Sequence, residues 1–296
     1  MISNTVRITV VLVVGAVLLL SPAARAVHVS FERGDIFISL ETGPVQWRMP
    51  DGTLRQALIP TVPGYGEGMA FDVSGNLYVA RWRADSMGLT GNTVEKYDVL
   101  GRSEGAVGNS YNCDPHTIVF QPSGVAYVGH AGCRRSILKF TPGTVTPTEY
   151  MVAEDNQGVF WMDLASDGCT MLYTSYGPNV KRFDVCANTQ LTDFNAAPLP
   201  GGVGHDLRIL PDGDVLVASG EVVARLTASG VLSRTYQGPV EPTLFAGLDL
   251  GFNDTFIAGN YRTSNVYAFD LATGAVVQSF HAGTPPNTVV GIRIMK

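Results

Sequence analysis

The sequence predicts an all-β fold: a six-bladed β-propeller, closed by N-terminal strands pairing with the C-terminal strand and preceded by a signal peptide. Three observations lead there. No segment beyond the first 26 residues sustains apolar positions at i, i+3, i+4 and i+7. Short β-branched and aromatic runs, split by Gly, Pro, Asp and Asn turns, recur with a period of 41–49 residues. The two ends of the chain supply complementary parts of one more repeat.

Each element can be justified in order. Residues 8–20, ITVVLVVGAVLLL, follow a lone Arg7 and precede Ser21-Pro22 and Ala24-Arg25-Ala26. The apolar run is short for a bilayer span and has the flanks of a cleavable secretory signal. Cleavage after Ala26 would leave Val27–Lys296, so the domain boundaries are 1–26 for the signal peptide and 27–296 for the propeller. A secreted or periplasmic protein is expected, with no stable membrane insertion after cleavage. The whole chain carries 20 Lys and Arg against 26 Asp and Glu. Removing Arg7 and Arg25 leaves 18 − 26 = −8, with the basic residues scattered. That excludes the basic stripe of a nucleic-acid binder and gives no attraction to anionic membranes.

The repeats are GMAFDVSGNLYVA (68–80), TIVFQPSGVAYVG (117–129), WMDLASDGCTMLYTS (161–175), DLRILPDGDVLVAS (206–219) and GLDLGFNDTFIAG (247–259). Each is a strand, a tight turn and a second strand; a third strand ends KYD at 96–98, RFD at 182–184 and AFD at 268–270. Three or four strands in such a period make a propeller blade. VVGIRIMK (289–296) reads as a first strand, and GDIFISL (34–40) with PVQWRMPDG (44–52) as second and third strands. Joined, they form the sixth blade and remove the edge an open ring would expose.

Cys113-x-x-His116 and His130-x-x-Cys133 have the spacing of a zinc module. The hairpin geometry gives another origin for the symmetry, because both ends of residues 113–133 meet on one face, here the top. Cys169 and Cys186 fall together on the bottom. The even cysteine set of an exported chain then predicts bridges 113–133 and 169–186, the pairing in which no bridge crosses faces.

Aligning the blades on their turn glycines gives a column ahead of each inner strand: Glu67, His116, Phe160, His205, Ala246 and Val290. The loops after the second strands add Glu41, Arg81, Trp82, Arg83, His130, Arg134, Tyr176, Glu221, Tyr261 and Arg262. A top-face site at the channel mouth is therefore expected. Arg81, Trp82, Trp161, Tyr176, Tyr261 and Arg262 are its candidate ligand-binding residues, taking a small molecule, glycan or protein. Glu67, His116 and His205 have the composition of a catalytic zinc set, so a divalent metal, zinc or calcium, is the one cofactor candidate. His130 and His205 are the candidate catalytic bases. Asp163, Arg208, Asp249 and Arg293 form a second column that reads as a ring of ion pairs between inner strands. No G-x-S-x-G, H-E-x-x-H or phosphate loop occurs. The sequon Asn253-Asp254-Thr255 falls in a bottom turn.

Gly68-Met69-Ala70-Phe71-Asp72 with Gly75-Asn76-Leu77-Tyr78-Val79 resembles NHL repeats and the gluconolactonase/senescence-marker propellers. Gly66-Glu67-Gly68 is similar to the Gly-Glu-Gly that carries a metal-binding Glu in that family. The resemblance implies a metal-dependent lactonase or esterase. Its Asn and Asp ligands fall here on Phe160 and His205, with Asp206 beside the latter, and this departs from the family's calcium-type set. The virginiamycin-B-type lyases share the fold and would need a top-face His as base. The expectation from sequence is an NHL-like propeller that binds a ligand or partner on its top face, with the hydrolase and the lyase as alternatives.

Overall fold

The computed structural model describes residues 29–82, 91–111, 114–132 and 134–296. They form six four-stranded antiparallel sheets with no helix among the described residues. Blade 1 comprises β4 (Tyr65–Phe71), β5 (Leu77–Trp82), β6 (Thr93–Tyr97) and β7 (Ser103–Val107). Blade 2 is β8 (Asp114–Phe120), β9 (Ala126–Ala131), β10 (Ser136–Phe140) and β11 (Thr148–Met151). Blade 3 follows with β12 (Trp161–Leu164), β13 (Thr170–Thr174), β14 (Val180–Asp184) and β15 (Thr189–Leu191). Blade 4 has β16 (Gly204–Ile209), β17 (Val215–Ser219), β18 (Val222–Leu226) and β19 (Leu232–Tyr236). Blade 5 holds β20 (Phe245–Leu250), β21 (Thr255–Asn260), β22 (Asn265–Asp270) and β23 (Val276–His281).

Blade 6 closes the ring. Its inner strand β24 (Val289–Ile294) pairs with β1 (Ile36–Leu40), which continues through β2 (Val45–Arg48) to β3 (Leu54–Leu58). Phe37 faces Arg293 and Ile38 faces Ile292 across that seam. Both termini of the sheet domain are thus held in one blade, as the split repeat predicts.

The six sheets pack face to face, and each contact has its own apolar cluster. Between blades 2 and 3, for example, Tyr127, Ile137 and Tyr150 meet Met162, Tyr173 and Phe183. Alternation in each strand sends side chains to the two neighbouring blades, so both sheet faces are buried and the strands read as apolar throughout. Outer strands break this rule. Most of β19 is exposed, because nothing covers the rim.

The inner strands start earlier than their apolar runs. In β4 the pairing register with β5 shifts between Gly66 and Met69, which leaves Glu67 and Gly68 as a bulge. The same shift isolates His116 in β8 and His205 with Asp206 in β16. It isolates Ala246 with Gly247 in β20, and Val290 in β24. Blade 3 has no bulge here: Phe160 precedes β12, its N–H donating to the Thr174 carbonyl. Bulges re-aim a side chain out of the sheet, and these re-aim the aligned column toward the channel. Glycine at the next position lets strands crowd together. A Cβ on Gly68 would lie 2.7 Å from the His116 carbonyl oxygen.

Cys169 and Cys186 form the expected bottom-face disulfide, with an S–S distance of 2.01 Å. Cys113, Cys133, Arg83 and the signal segment lie outside the described residues. Asn253 sits exposed in the β20–β21 turn, in keeping with a surface sequon.

Candidate functional site

The top mouth of the channel opens into a cavity of about 400 Å³. All six members of the column, Glu67, His116, Phe160, His205, Ala246 and Val290, line it. Blades 1 to 4 contribute a continuous arc of flat rings. Trp82 lies 5.9 Å from His116, His116 stacks on Phe160 at 4.3 Å, and Phe160 meets Tyr176 at 5.0 Å. Tyr176 then packs edge-on against His205 at 5.1 Å. Trp161 stands behind, 5.6 Å from His116. Blades 5 and 6 place only Ala246 and Val290 in the column, and these short side chains leave the space open.

Backbone contacts fix two of the bulged ionisable residues, Glu67 and His205. Ser39 Oγ on β1 donates to the Glu67 carbonyl at 2.6 Å, and Thr174 Oγ1 on β13 donates to the His205 carbonyl. In each case the second strand of one blade grips the bulge of the next.

The electrostatics follow from burial. Glu67, His116 and His205 are 4%, 6% and 5% exposed. Burial pushes the Glu67 carboxyl well above the usual carboxylate range, and the charge on Glu41 adds to the shift. The Trp82 indole pulls the other way, and Asp114 raises it again. Burial, aided by His205, pushes the His116 imidazole down to about 3. Burial alone takes His205 down to about 4. Both imidazoles are therefore neutral at neutral pH. His116 Nδ1, His205 Nε2 and Trp161 Nε1 are buried without a hydrogen-bond partner. Buried polar groups rarely stay unpaired in a finished core. Across the mouth, the Tyr261 hydroxyl donates to Glu41 Oε2 at 2.5 Å.

Of the six ligand-binding candidates, Trp82, Trp161, Tyr176 and Tyr261 line this cavity. Arg81 does not. Its Nε donates to Glu95 Oε2 at 2.9 Å, Nη2 to the Tyr97 hydroxyl at 2.8 Å, and Nη1 to the Gly43 carbonyl. Alternation along β5 puts Arg81 on the face of Leu77 and Val79, against blade 6. Arg262 is exposed and lies outside the cavity lining. His130 is also separate, buried on the β9 face that carries Ala126 and Val128. Its Nδ1 is 3.0 Å from Ser136 Oγ, and burial pushes it down to about 4.

The metal candidates come together only in part. Glu67 Oε2 is 3.7 Å from His116 Nδ1, but Phe160 lies against both His116 and His205. Among the described residues, the group with three ligand atoms mutually within 4.8 Å is Cys169, Asp184 and Cys186. Its two sulfurs are already in the disulfide. Asp114, Gln157 and Leu244 also line the cavity and were not anticipated. Asp114 sits two residues above the bulge, where the apolar run gives no sign that the strand continues.

Below the site, Arg208 Nε donates to Asp249 Oδ1 at 3.0 Å, joining the inner strands of blades 4 and 5. Asp206 completes the arrangement, taking Arg208 Nη1 at 2.6 Å and facing Arg293 Nη1 at 3.9 Å. Asp163 and Asp249 also accept backbone N–H groups from Ile209 and Ile294 on the next inner strand. The second column thus ties the inner strands to one another.

No family model matches the sequence, and no curated protein matches it. Solved structures do match in fold. A chain of a nidogen/laminin complex superposes with a TM-score of 0.72 at 12% identity, covering 88% of this chain and 98% of that one. A protein of unknown function from Bacteroides caccae gives 0.69 at 14%, covering 88% and 98%. Virginiamycin B lyase from Staphylococcus aureus gives 0.57 at 12%, covering 74% and 71%. Identities this low show the shared β-propeller architecture and nothing finer.

Proposed function

We propose that this protein is an exported propeller that binds a small molecule in its top-face cavity. One observation carries the reading: bulges in five inner strands turn the column into a single cavity whose wall holds unpartnered buried polar atoms. A concave, mostly apolar site with a few convergent polar groups is what small ligands use. The disulfide supports export to an oxidising compartment.

The enzymatic alternatives demand more of the same residues. A lyase would use His205 as its base, but an imidazole held near 4 is a weak proton acceptor at neutral pH. A metal-dependent lactonase or esterase needs Glu67, His116 and His205 on one ion, with Phe160 displaced from between them. Binding asks nothing to move.

Cavity filling tests the reading. Ala246→Phe places a ring in the open half of the cavity, away from the aromatic arc. Ligands found by thermal-shift screening of small molecules and glycans should stabilise the native protein and leave this variant unchanged. Ligands that stabilise both equally would place binding elsewhere and overturn the proposal.

A further inference from the structure

The cavity wall also has a sign. Among the described residues it contains three carboxyl side chains, Glu41, Glu67 and Asp114, and no Lys or Arg. Of the described arginines close in sequence to the wall, Arg81 is spent on Glu95, Tyr97 and Gly43, Arg134 on Glu149, and Arg262 is exposed outside the lining. Glu67 is buried with charged neighbours of its own sign. A carboxylate in that position is stabilised by the Trp82 indole and by an arriving cation. The rest of the wall offers ring faces, and cations are attracted to the faces of Trp, Tyr and Phe, most strongly when desolvated.

Resting on the top cavity being the ligand site, we propose that its ligand is a small organic cation, an amine or quaternary ammonium. The positive group sits against the faces of Trp82, Phe160 and Tyr176, with the Glu67 carboxylate as counter-ion. Buried His116 Nδ1, unpartnered and 3.7 Å from Glu67 Oε2, stands beside that carboxylate in the same wall. Among the described residues of the wall, a carboxylate or phosphate ligand would meet Glu41 and Glu67 and no Lys or Arg. The charged groups at the lower end of the channel offer no comparable vacancy, because Arg208, Asp206 and Asp249 satisfy one another.

Choline and 3,3-dimethylbutan-1-ol have nearly the same shape and differ by one charge. Titration of each is followed by tryptophan fluorescence, since Trp82 and Trp161 both line the cavity. Choline should saturate and bind at least ten-fold more tightly than the alcohol. Glu67→Gln should cut choline affinity at least ten-fold and leave the alcohol unaffected; Trp82→Leu, which keeps the acid, should also weaken choline. Equal binding of the two probes, or no saturable binding of either choline or benzyltrimethylammonium, overturns the proposal. If uncharged or anionic ligands then bind and Ala246→Phe blocks them, the ligand class is wrong and the site stands. If nothing binds in a manner that Ala246→Phe blocks, both fall.

Discussion

Replacing His205 by Gln should make the protein markedly more resistant to acid. The imidazole is held near 4 in the fold by burial, against 6.5 in an exposed chain. The sign follows from linkage: below pH 6.5 the unfolded chain takes up a proton that the folded protein refuses. Stability is therefore complete above that value and is lost as pH falls toward 4. The loss is about 1.4 kcal/mol per pH unit. At pH 4.5 the two-unit fall costs about 2.5 kcal/mol from this residue, allowing for the onset of titration in the fold. His116 adds a comparable cost. Glu67 and Asp206 act in the opposite sense, because burial raises both and their protonation stabilises the fold as pH falls. A double difference isolates the histidine. Urea unfolding of the native protein and His205→Gln is compared at pH 7.5 and pH 4.5. The variant should lose about 2.5 kcal/mol less than the native protein over that interval. Parallel losses would mean that His205 is solvated or already charged, and the account of a buried, neutral His205 in the cavity wall would fail.

Other outcomes follow from the same contacts. Cys169→Ser opens a loop with a sequence separation of 17 and should lower unfolding free energy by about 3 kcal/mol in chemical denaturation. Arg208→Met leaves Asp206 and Asp249 buried without their counter-charge. It should cost about 3–5 kcal/mol, read as a fall in melting temperature; a near-neutral effect would refute the pairing. Chelator treatment should leave the melting temperature unchanged, since Glu67, His116 and His205 do not present three ligand atoms to one point. Near-stoichiometric metal lost on chelation, with a drop in stability, would revive the metal-dependent reading.

The blades were legible because a propeller repeats its punctuation. Turn glycines such as Gly75 and Gly213 mark equivalent positions, and aligning on them picks out the column that lines the cavity. The bulges were not legible. They interrupt alternation for one or two residues, so the apolar run at 117–120 hides a strand that begins at Asp114. Arg81 and His130 were misplaced for a related reason. Both lie within the second strand of a blade, where alternation aims them at a neighbouring sheet: Arg81 follows Leu77 and Val79, and His130 follows Ala126 and Val128. Tyr176 and Tyr261 lie beyond the ends of their strands and reach the mouth. Period-two counting separates these cases, whereas proximity in sequence to the top loops does not. The partner of Arg81 was visible too, since Glu95 and Tyr97 alternate on the adjoining strand.

A crystal structure of the protein soaked with benzyltrimethylammonium tests the central claim most directly. The account predicts the ammonium group in the top cavity, against Trp82, Phe160 and Tyr176 and close to the Glu67 carboxylate. An ordered ligand elsewhere on the molecule, with the top cavity holding only solvent, would contradict it.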